Sequence, residues 1–131
     1  MAALDTRGDL TQYVVMRHVV ELPPISEAVF FILASLAQEP RHGYSLLKDI
    51  ETLSDGRVRL STGTLYGALR RLLEGEWIER FETGDTSRDK QTYRLTALGR
   101  KMLQQEHDRM KQLTRVASLR LRKAHSRTQE A

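Results

Sequence analysis

The chain of 131 residues contains no cysteine. Disulfide bonds and thiolate metal sites are therefore excluded, which agrees with a reducing compartment. No apolar run approaches the roughly 18 to 20 residues that a membrane-spanning helix requires. The first ten residues also lack the basic start and apolar stretch of a signal peptide. These absences predict a cytoplasmic protein of one small domain with no membrane partner.

The sequence motifs of catalysis are missing as well. There is no phosphate-binding glycine loop, no His-Glu-x-x-His sequence and no nucleophile elbow. The four histidines are scattered without the spacing of metal ligands, at His18, His42, His107 and His125. The carboxylates stand among other charges on faces that we expect to be exposed. We therefore predict that the chain is not an enzyme and binds neither a metal nor a cofactor.

Positive charge is distributed unevenly along the chain. The net charge of +4 and the isoelectric point near 9.7 are compatible with nucleic-acid binding. However, nine of the 21 Lys and Arg, but only three of the 17 Asp and Glu, follow residue 97. The first 97 residues are thus slightly acidic. Net charge therefore supports DNA binding only weakly, and a prediction of DNA binding depends on the positions of particular arginines.

The hydrophobic periodicity predicts a mainly α fold with a small β-hairpin, that is, a winged helix-turn-helix plus a long C-terminal dimerisation helix. Residues 1–22 form an N-terminal extension, of which 10–22 suit a strand or a short helix equally. A DNA-binding domain spans 23–96, and residues 124–131 are expected to be a disordered tail. The predicted elements are helices from after Ser26 to about Ala37, Gly43–Leu53, Ser61–Gly75 and Ala97–Lys123, a turn at 38–42, and strands at 77–82 and 91–95.

The third predicted helix has the most informative pattern in the chain. Ser61 is suited to cap it, because its hydroxyl can accept an amide hydrogen of the first turn. Apolar residues recur at helical spacing on one face, at Leu65, Ala68, Leu69, Leu72 and Leu73. The other face offers hydroxyls, small residues and arginines, at Thr62, Gly63, Thr64, Tyr66, Gly67, Arg70 and Arg71. Such a face suits a helix that enters a DNA major groove.

Two helices carry more apolar surface than one small domain can cover. The first is apolar nearly all round, and the last combines an apolar stripe with basic residues at Arg109, Arg115 and Arg120, which we interpret as a solvated face. A second copy of the chain is the expected cover, in a two-fold homodimer. The predicted interface residues are Val29, Phe30, Leu33, Leu103, Met110, Leu113, Val116 and Ala117.

Several motifs in fixed order resemble the PadR family of bacterial transcriptional regulators. They are His42-Gly43-Tyr44, Ser61-x-Gly63-Thr64-Leu65-Tyr66-x-Ala68-Leu69-x-Arg71-Leu72, Gly75-x-x-Ile78 and Lys90-x-x-Tyr93-x-Leu95-Thr96-x-x-Gly99. The resemblance covers roughly residues 24–103, and the single helix after it is similar to the smaller subfamily. It implies a dimeric winged-helix repressor that binds a double-stranded DNA operator and is released by a small-molecule effector.

The resemblance and the pattern together suggest the DNA-contacting residues. In the third helix they are Ser61, Thr62, Gly63, Thr64, Tyr66, Arg70 and Arg71. Those outside the third helix are Tyr44 and Lys48 on the second helix, and Arg88 and Lys90 in the wing. Each has an alternative role. Tyr66 and Tyr44 could pack against the core, the first-turn threonines could only cap the helix, Arg70 and Arg71 could be solvated, and the wing could be a polar loop without DNA contact.

The effector is not identified by the sequence. No aromatic residue follows Tyr93, so a pocket that stacks flat aromatic ligands between the C-terminal helices is not supported. Candidate pocket walls are Met102, Met110 and Leu113, for which core packing is the alternative. A winged helix used only for protein contact is the competing function, but an acidic or apolar exposed face on the third helix would be expected for it.

Overall fold

The computed structural model describes residues 25–81 and 91–130. In these ranges the chain forms four helices and three strands. In chain order they are α1 (Glu27–Gln38), β1 (Arg41–His42), α2 (Gly43–Leu53), α3 (Thr62–Glu74), β2 (Ile78–Phe81), β3 (Thr92–Leu95) and α4 (Ala97–Glu130). The predicted N-terminal extension and the two wing cations, Arg88 and Lys90, lie outside the described residues.

The start of α1 agrees with the prediction, because the Ser26 hydroxyl accepts the Val29 amide hydrogen at 3.1 Å. One side of the helix enters the core through Ile32, Leu33 and Leu36. Leu33 is completely buried within its own chain, so its assignment to the dimer interface is wrong. Phe30 remains half-buried and stacks edge-on against Phe31, with 5.9 Å between ring centroids.

The three strands form one antiparallel sheet in the order β1-β3-β2. Tyr93 is the centre of the sheet, since it lies opposite Arg41 in β1 and Arg80 in β2, and its side chain is buried. Strand β1 falls within residues predicted to be only a turn. Two residues are too few to show an alternating pattern, so only pairing with β3 reveals this strand.

The hydrophobic core lies between the first three helices and the sheet. Its fully buried side chains include Ile32, Leu46, Ile50, Leu65, Leu69 and Ile78. The helical spacing of Leu65 and Leu69 predicted that they would face inward, and the structure confirms this. At the end of α2, Gly56 has a φ of 78°, as expected of a left-handed cap residue, and Asp55 precedes it with a φ of 54°.

A polar cluster joins α1, β1 and α2. Ser35 donates its hydroxyl hydrogen to Asp49 Oδ2 at 2.5 Å, and Arg41 Nη2 lies 3.5 Å from the same oxygen. Arg41 Nε also donates to the carbonyl of Ser35 at 3.2 Å. The arginine and aspartate side chains are mostly buried, so each neutralises the other where water is largely excluded. The cluster therefore ties α2 to α1 and β1.

Helix α4 begins with a tight contact against the turn before β2. Thr96 Oγ1 accepts the Gly99 amide hydrogen at 3.0 Å, which confirms the predicted cap, and donates to the carbonyl of Glu76 at 2.6 Å. A β-carbon on Gly99 would overlap the carbonyl oxygen of Trp77 and lie 2.9 Å from its carbon. Only glycine fits at this position, and the base of α4 is thereby held on the domain.

Helix α4 is longer than predicted, since it continues past Lys123 through Glu130. Residues 124–130 of the predicted disordered tail are therefore helical. No proline or glycine follows Gly99, so nothing in the sequence stops the helix. Leu103 packs against the core and Glu106 is buried, whereas every described side chain after Met110 is exposed. The distal half of α4 therefore extends beyond the domain.

Candidate nucleic-acid interface

The first turn of α3 is exposed at the protein surface. Ser61 Oγ accepts the Thr64 amide hydrogen at 3.1 Å and donates its own hydrogen to Thr64 Oγ1 at 2.9 Å. The Ser61 hydroxyl is thus engaged in capping and in a contact with Thr64, and Thr62 and Gly63 are exposed beside them. The free amide groups and the helix dipole give this end a partial positive charge. Such a helix start can accept a DNA phosphate or place short side chains against base edges.

Gly63 is a glycine that the fold itself does not require. A β-carbon at this position would meet no atom within 4 Å. Glycine inside a helix costs roughly 0.5–1 kcal/mol relative to alanine, and no contact among the described residues gives a reason for glycine here. An object that approaches the helix surface closely supplies such a reason. A DNA backbone is the object that suits an exposed helix N-terminus.

The ring of Tyr66 packs on the start of α2. A β-carbon on Gly43 would lie 2.9 Å from Tyr66 Cζ and would overlap the hydroxyl oxygen. The ring is half-buried and lies against the hydrophobic core. The sequence left open whether Tyr66 packs against the core or contacts DNA. The structure places its ring in a packed position. Tyr66 sets the distance between α2 and α3.

Helix α2 presents an aromatic and a cationic side chain one turn apart. Tyr44 is 65% exposed, and Lys48 Nζ lies 5.5 Å from its ring centroid. The alternative that Tyr44 only packs in the core is excluded by this exposure. The cation–π contact keeps both side chains together on the surface, where a phosphate could take hydrogen bonds from each.

The two arginines of α3 lie on different sides of the helix. Arg70 is exposed and makes no hydrogen bond or ion pair within the described residues. Arg71 is placed beside a surface cleft of about 340 Å³ between α1 and the end of α3. The lining residues of this cleft are Ile25, Ser26, Val29, Ala68, Arg71, Leu72, Gly75 and Trp77. Arg70 is thus the α3 arginine on the outward face with Gly63, since the two positions are seven residues apart.

Several other cations near the domain surface are paired with carboxylates. Arg57 makes a bidentate contact with Glu27 at 2.8 and 3.0 Å, which lowers the pKa of Glu27 and raises the pKa of Arg57. Arg94 is paired with Glu79, and Arg59 with Glu51. Within residues 25–81 and 91–96, the cations without an ion pair include Lys48 and Arg70. Arg71 and Arg80 also make no ion pair in these ranges, so the uncompensated cations of α2 and α3 are Lys48, Arg70 and Arg71.

The predicted interface residues other than Leu33 divide into two groups. Four are half-buried around α1 and the base of α4: Val29, Phe30, Leu103 and Met110. The remaining three lie on the distal half of α4 and are exposed: Leu113, Val116 and Ala117. Leu121, which is 71% exposed, continues this apolar surface and was missed from the sequence. The candidate pocket walls Met102 and Met110 are also half-buried at the base of α4.

A helix-turn-helix whose third helix exposes its first turn, followed by a hairpin that begins at β2 and ends at β3, is the architecture of a winged-helix DNA-binding protein. The family model described as "Transcriptional regulator PadR-like family" matches residues 32–105. This chain therefore belongs to the PadR-like family of transcriptional regulators, which act by binding DNA. Its members are transcription factors and not enzymes.

Several known proteins are similar to this chain. A transcriptional regulator from Clostridium thermocellum is 26% identical, with a TM-score of 0.59, over 68% of this chain and 87% of that one. A PadR family regulator from Clostridium difficile is 21% identical and has a TM-score of 0.61 over 73% of this chain and 99% of that one. An uncharacterised 37.1 kDa protein in a Streptomyces fradiae transposon, TN4556, is 35% identical over 89 residues. That match covers 68% of this chain but 24% of the relative.

No helix among residues 25–81 and 91–130 is both long and apolar enough to cross a membrane. In the same part of the chain, no group of three or more histidine, aspartate or glutamate residues could hold a metal ion.

Proposed function

We propose that the chain is a homodimeric repressor that binds an inverted-repeat operator and is released from it by a small-molecule effector. The observation that carries this proposal is the exposed first turn of α3 around Gly63, where a β-carbon would meet no other atom within 4 Å. The DNA-contacting surface consists of this turn with Arg70, and of Tyr44 and Lys48 on α2. Gly63 allows close approach, while the cations bind phosphates and fix the register of the protein on the duplex.

The order of elements explains how this surface would engage DNA. In the helix-turn-helix geometry, α3 enters the major groove with its N-terminal residues toward the base edges, and α2 crosses the backbone. Tyr66 contributes indirectly, because its ring on Gly43 holds α2 and α3 at a fixed separation. We assign Tyr66 as a positioning residue. Arg71, beside the cleft, would contact a phosphate only at the margin of this surface.

The homodimer is supported by the distal half of α4. Leu113, Val116 and Leu121 are about half or more exposed in the single chain. Burial of such side chains yields roughly 1.5–3 kcal/mol each, so a second copy that covers them would be stabilised. Two chains related by a two-fold axis would place their α3 helices in successive major grooves. This arrangement requires an operator with two inverted half-sites.

An effector would release the DNA only if it binds the DNA-free arrangement more tightly than the bound one. We place it near the base of α4, where the half-buried methionines Met102 and Met110 lie close to the inter-subunit surface in this proposal. A ligand there would change the distance between the two α3 helices, each of which contacts one half-site. The unbranched, polarisable methionine side chains can adapt to such a ligand.

The direct experiment is selection of bound sequences from a random duplex library with the purified chain. We expect an inverted repeat whose half-site centres are about 34–36 Å apart, or a multiple of this distance. Affinity for that sequence is then measured by fluorescence anisotropy for wild type and for Arg70→Ala. Arg115→Ala, which removes a charge from the far side of α4, is the matched control. Enrichment of no sequence, or equal loss of affinity in both variants, would contradict the proposed surface.

The dimer has its own test. Leu113→Glu combined with Val116→Glu introduces two carboxylates on a surface that is exposed in the single chain, so the domain should still fold. In a dimer these carboxylates would be desolvated, which is costly. We expect a monomer in light scattering and a loss of operator binding. A double variant that stays dimeric at micromolar concentration would contradict this interface.

A further inference from the structure

The surface cleft between the start of α1 and the end of α3 has the size and the walls of a ligand site. It holds about 340 Å³, near the lower end of the roughly 300–1,000 Å³ that ligand pockets occupy. Ile25, Val29 and Leu72 form apolar walls, and Trp77 contributes an indole ring. Among the described residues, no part of α4 lines the cleft. It is therefore separate from the effector position that we placed near the base of α4.

The cleft contains two hydrogen-bond donors that have no acceptor within the described residues. Arg71 is exposed and makes no hydrogen bond or ion pair there, and the indole nitrogen of Trp77 makes no hydrogen bond there either. A β-carbon on Gly75 would lie 3.7 Å from Trp77 Nε1 and 3.5 Å from Trp77 Cδ1. Because Gly75 also lines the cleft and has no side chain, nothing at position 75 covers the edge of the ring that carries this donor.

No negative charge in the cleft compensates these donors. None of its described lining residues is an aspartate or a glutamate. Glu27, in the first turn of α1, is engaged by Arg57 at 2.8 and 3.0 Å. Glu74 and Glu76 are exposed and close to Arg71 in sequence, but neither makes an ion pair with it. The cleft thus combines apolar walls with one uncompensated positive charge.

From this combination we infer that the cleft binds a small monocarboxylate with an apolar body. The carboxylate accepts hydrogen bonds from the Arg71 guanidinium, whose planar donors match its two oxygens, and from the Trp77 indole N–H. The apolar body lies against Val29 and Leu72. A neutral apolar molecule would leave both donors without an acceptor. A phosphate monoester carries close to two negative charges, which is more than the single cation of the cleft can neutralise.

Fluorescence reports on this cleft directly, because Trp77 is the only tryptophan in the chain. The full chain is titrated with octanoate, a carboxylate with a flexible apolar body, and we expect a saturable change in emission. 1-Octanol has the same apolar body without the charge and should bind at least about tenfold more weakly, since the charge-assisted hydrogen bonds are lost. Octylamine, a cation, should bind more weakly still. Equal affinity for octanoate and 1-octanol would overturn the inference. So would the absence of a saturable response to octanoate, as expected if another part of the chain or a second copy fills the cleft.

The role of the cation is tested with Arg71→Gln. This side chain is exposed and unpaired, so its replacement should not disturb folding. We expect the affinity for octanoate to fall at least about tenfold and the affinity for 1-octanol to stay unchanged. Arg80→Gln makes the same change of charge three residues from Trp77 but outside the cleft, and should leave both affinities unchanged. An equal loss of octanoate affinity in the two variants would overturn the assignment of Arg71.

The location is tested with Val29→Phe, which enlarges an apolar wall and keeps Arg71. We expect both octanoate and 1-octanol to bind more weakly, because their apolar bodies no longer fit. A folded Val29→Phe protein that binds octanoate as tightly as wild type would overturn the location. If this variant does not fold, the Arg71→Gln measurement still decides the inference. None of these titrations contains DNA, so a failure of the carboxylate site would leave the proposed operator binding unaffected.

Discussion

The Tyr66 hydroxyl occupies the space in which a β-carbon of residue 43 would lie, so Gly43 and Tyr66 form a matched pair between α2 and α3. We therefore expect Gly43→Ala to displace the ring and to destabilise the protein by about 1–3 kcal/mol, as overpacking does. Operator affinity should fall as well, because α3 is repositioned. Urea denaturation and anisotropy measure the two effects. A Gly43→Ala protein with both properties unchanged would show that the contact has no positioning role.

Gly63 should behave in the opposite way. Gly63→Ala adds a β-carbon that touches nothing in the chain, and the free energy of unfolding should rise by about 0.5–1 kcal/mol from helix propensity. Operator affinity should nevertheless fall, because the added methyl group faces the DNA. This combination of higher stability and weaker binding separates a binding role from a structural one. Unchanged affinity would remove Gly63 from the proposed surface.

The salt dependence of operator binding provides a count of phosphate contacts. Affinity should decrease steeply with added salt, since each neutralised phosphate releases condensed counterions. Removing one phosphate contact with Arg70→Ala should reduce the slope of log affinity against log salt by about one, without changing the preferred sequence. Lys48→Ala should do the same, because Lys48 shares the surface of α2 with Tyr44. A slope near zero in wild type would exclude a binding mode based on phosphates.

The cluster around Asp49 is expected to stabilise the fold. Asp49→Ala leaves the mostly buried Arg41 guanidinium and the Ser35 hydroxyl without their shared acceptor. We expect a loss of about 2 kcal/mol in the free energy of unfolding. Glu79→Ala, which breaks the exposed pair with Arg94, is the control and should cost no more than about 0.5 kcal/mol. Equal losses of unfolding free energy in the two variants would show that burial does not strengthen the contacts of Asp49.

The contact between Glu106 and Arg109 predicts a pH dependence of stability. Hydrogen bonds from Arg109 lower the pKa of Glu106 in the folded chain, so the ionised form favours folding. Its contribution is complete above the pKa of an unfolded glutamate, about 4.3, and is lost as the pH falls through the lower pKa of the folded state. The stability difference between wild type and Glu106→Gln should therefore shrink on acidification below about pH 4.3. A stability difference that does not change with pH would contradict a contribution from the ionised Glu106 carboxylate.

Much of the fold was accessible from sequence because its signals are local. The apolar spacing of Leu65, Ala68 and Leu69 predicts a half-buried helix whatever surrounds it, and Ser61 and Thr96 are cap residues that act on their own first turns. Strand β1 was missed because it depends on hydrogen bonds from β3, some fifty residues away. Leu33 was assigned to the wrong surface because an apolar residue on an almost wholly apolar helix gives no indication of which side is buried.

The candidate site shows the same division. The sequence alone identified the family motifs and placed Thr62, Gly63 and Arg70 on the outward face of α3, since helical periodicity fixes the direction of each side chain. Only the tertiary structure decided that the Tyr66 ring packs on Gly43, that Arg71 lies beside a cleft and that the base of α4, but not its distal half, is covered. These outcomes depend on which distant segments come into contact, and short-range periodicity carries no information about such contacts.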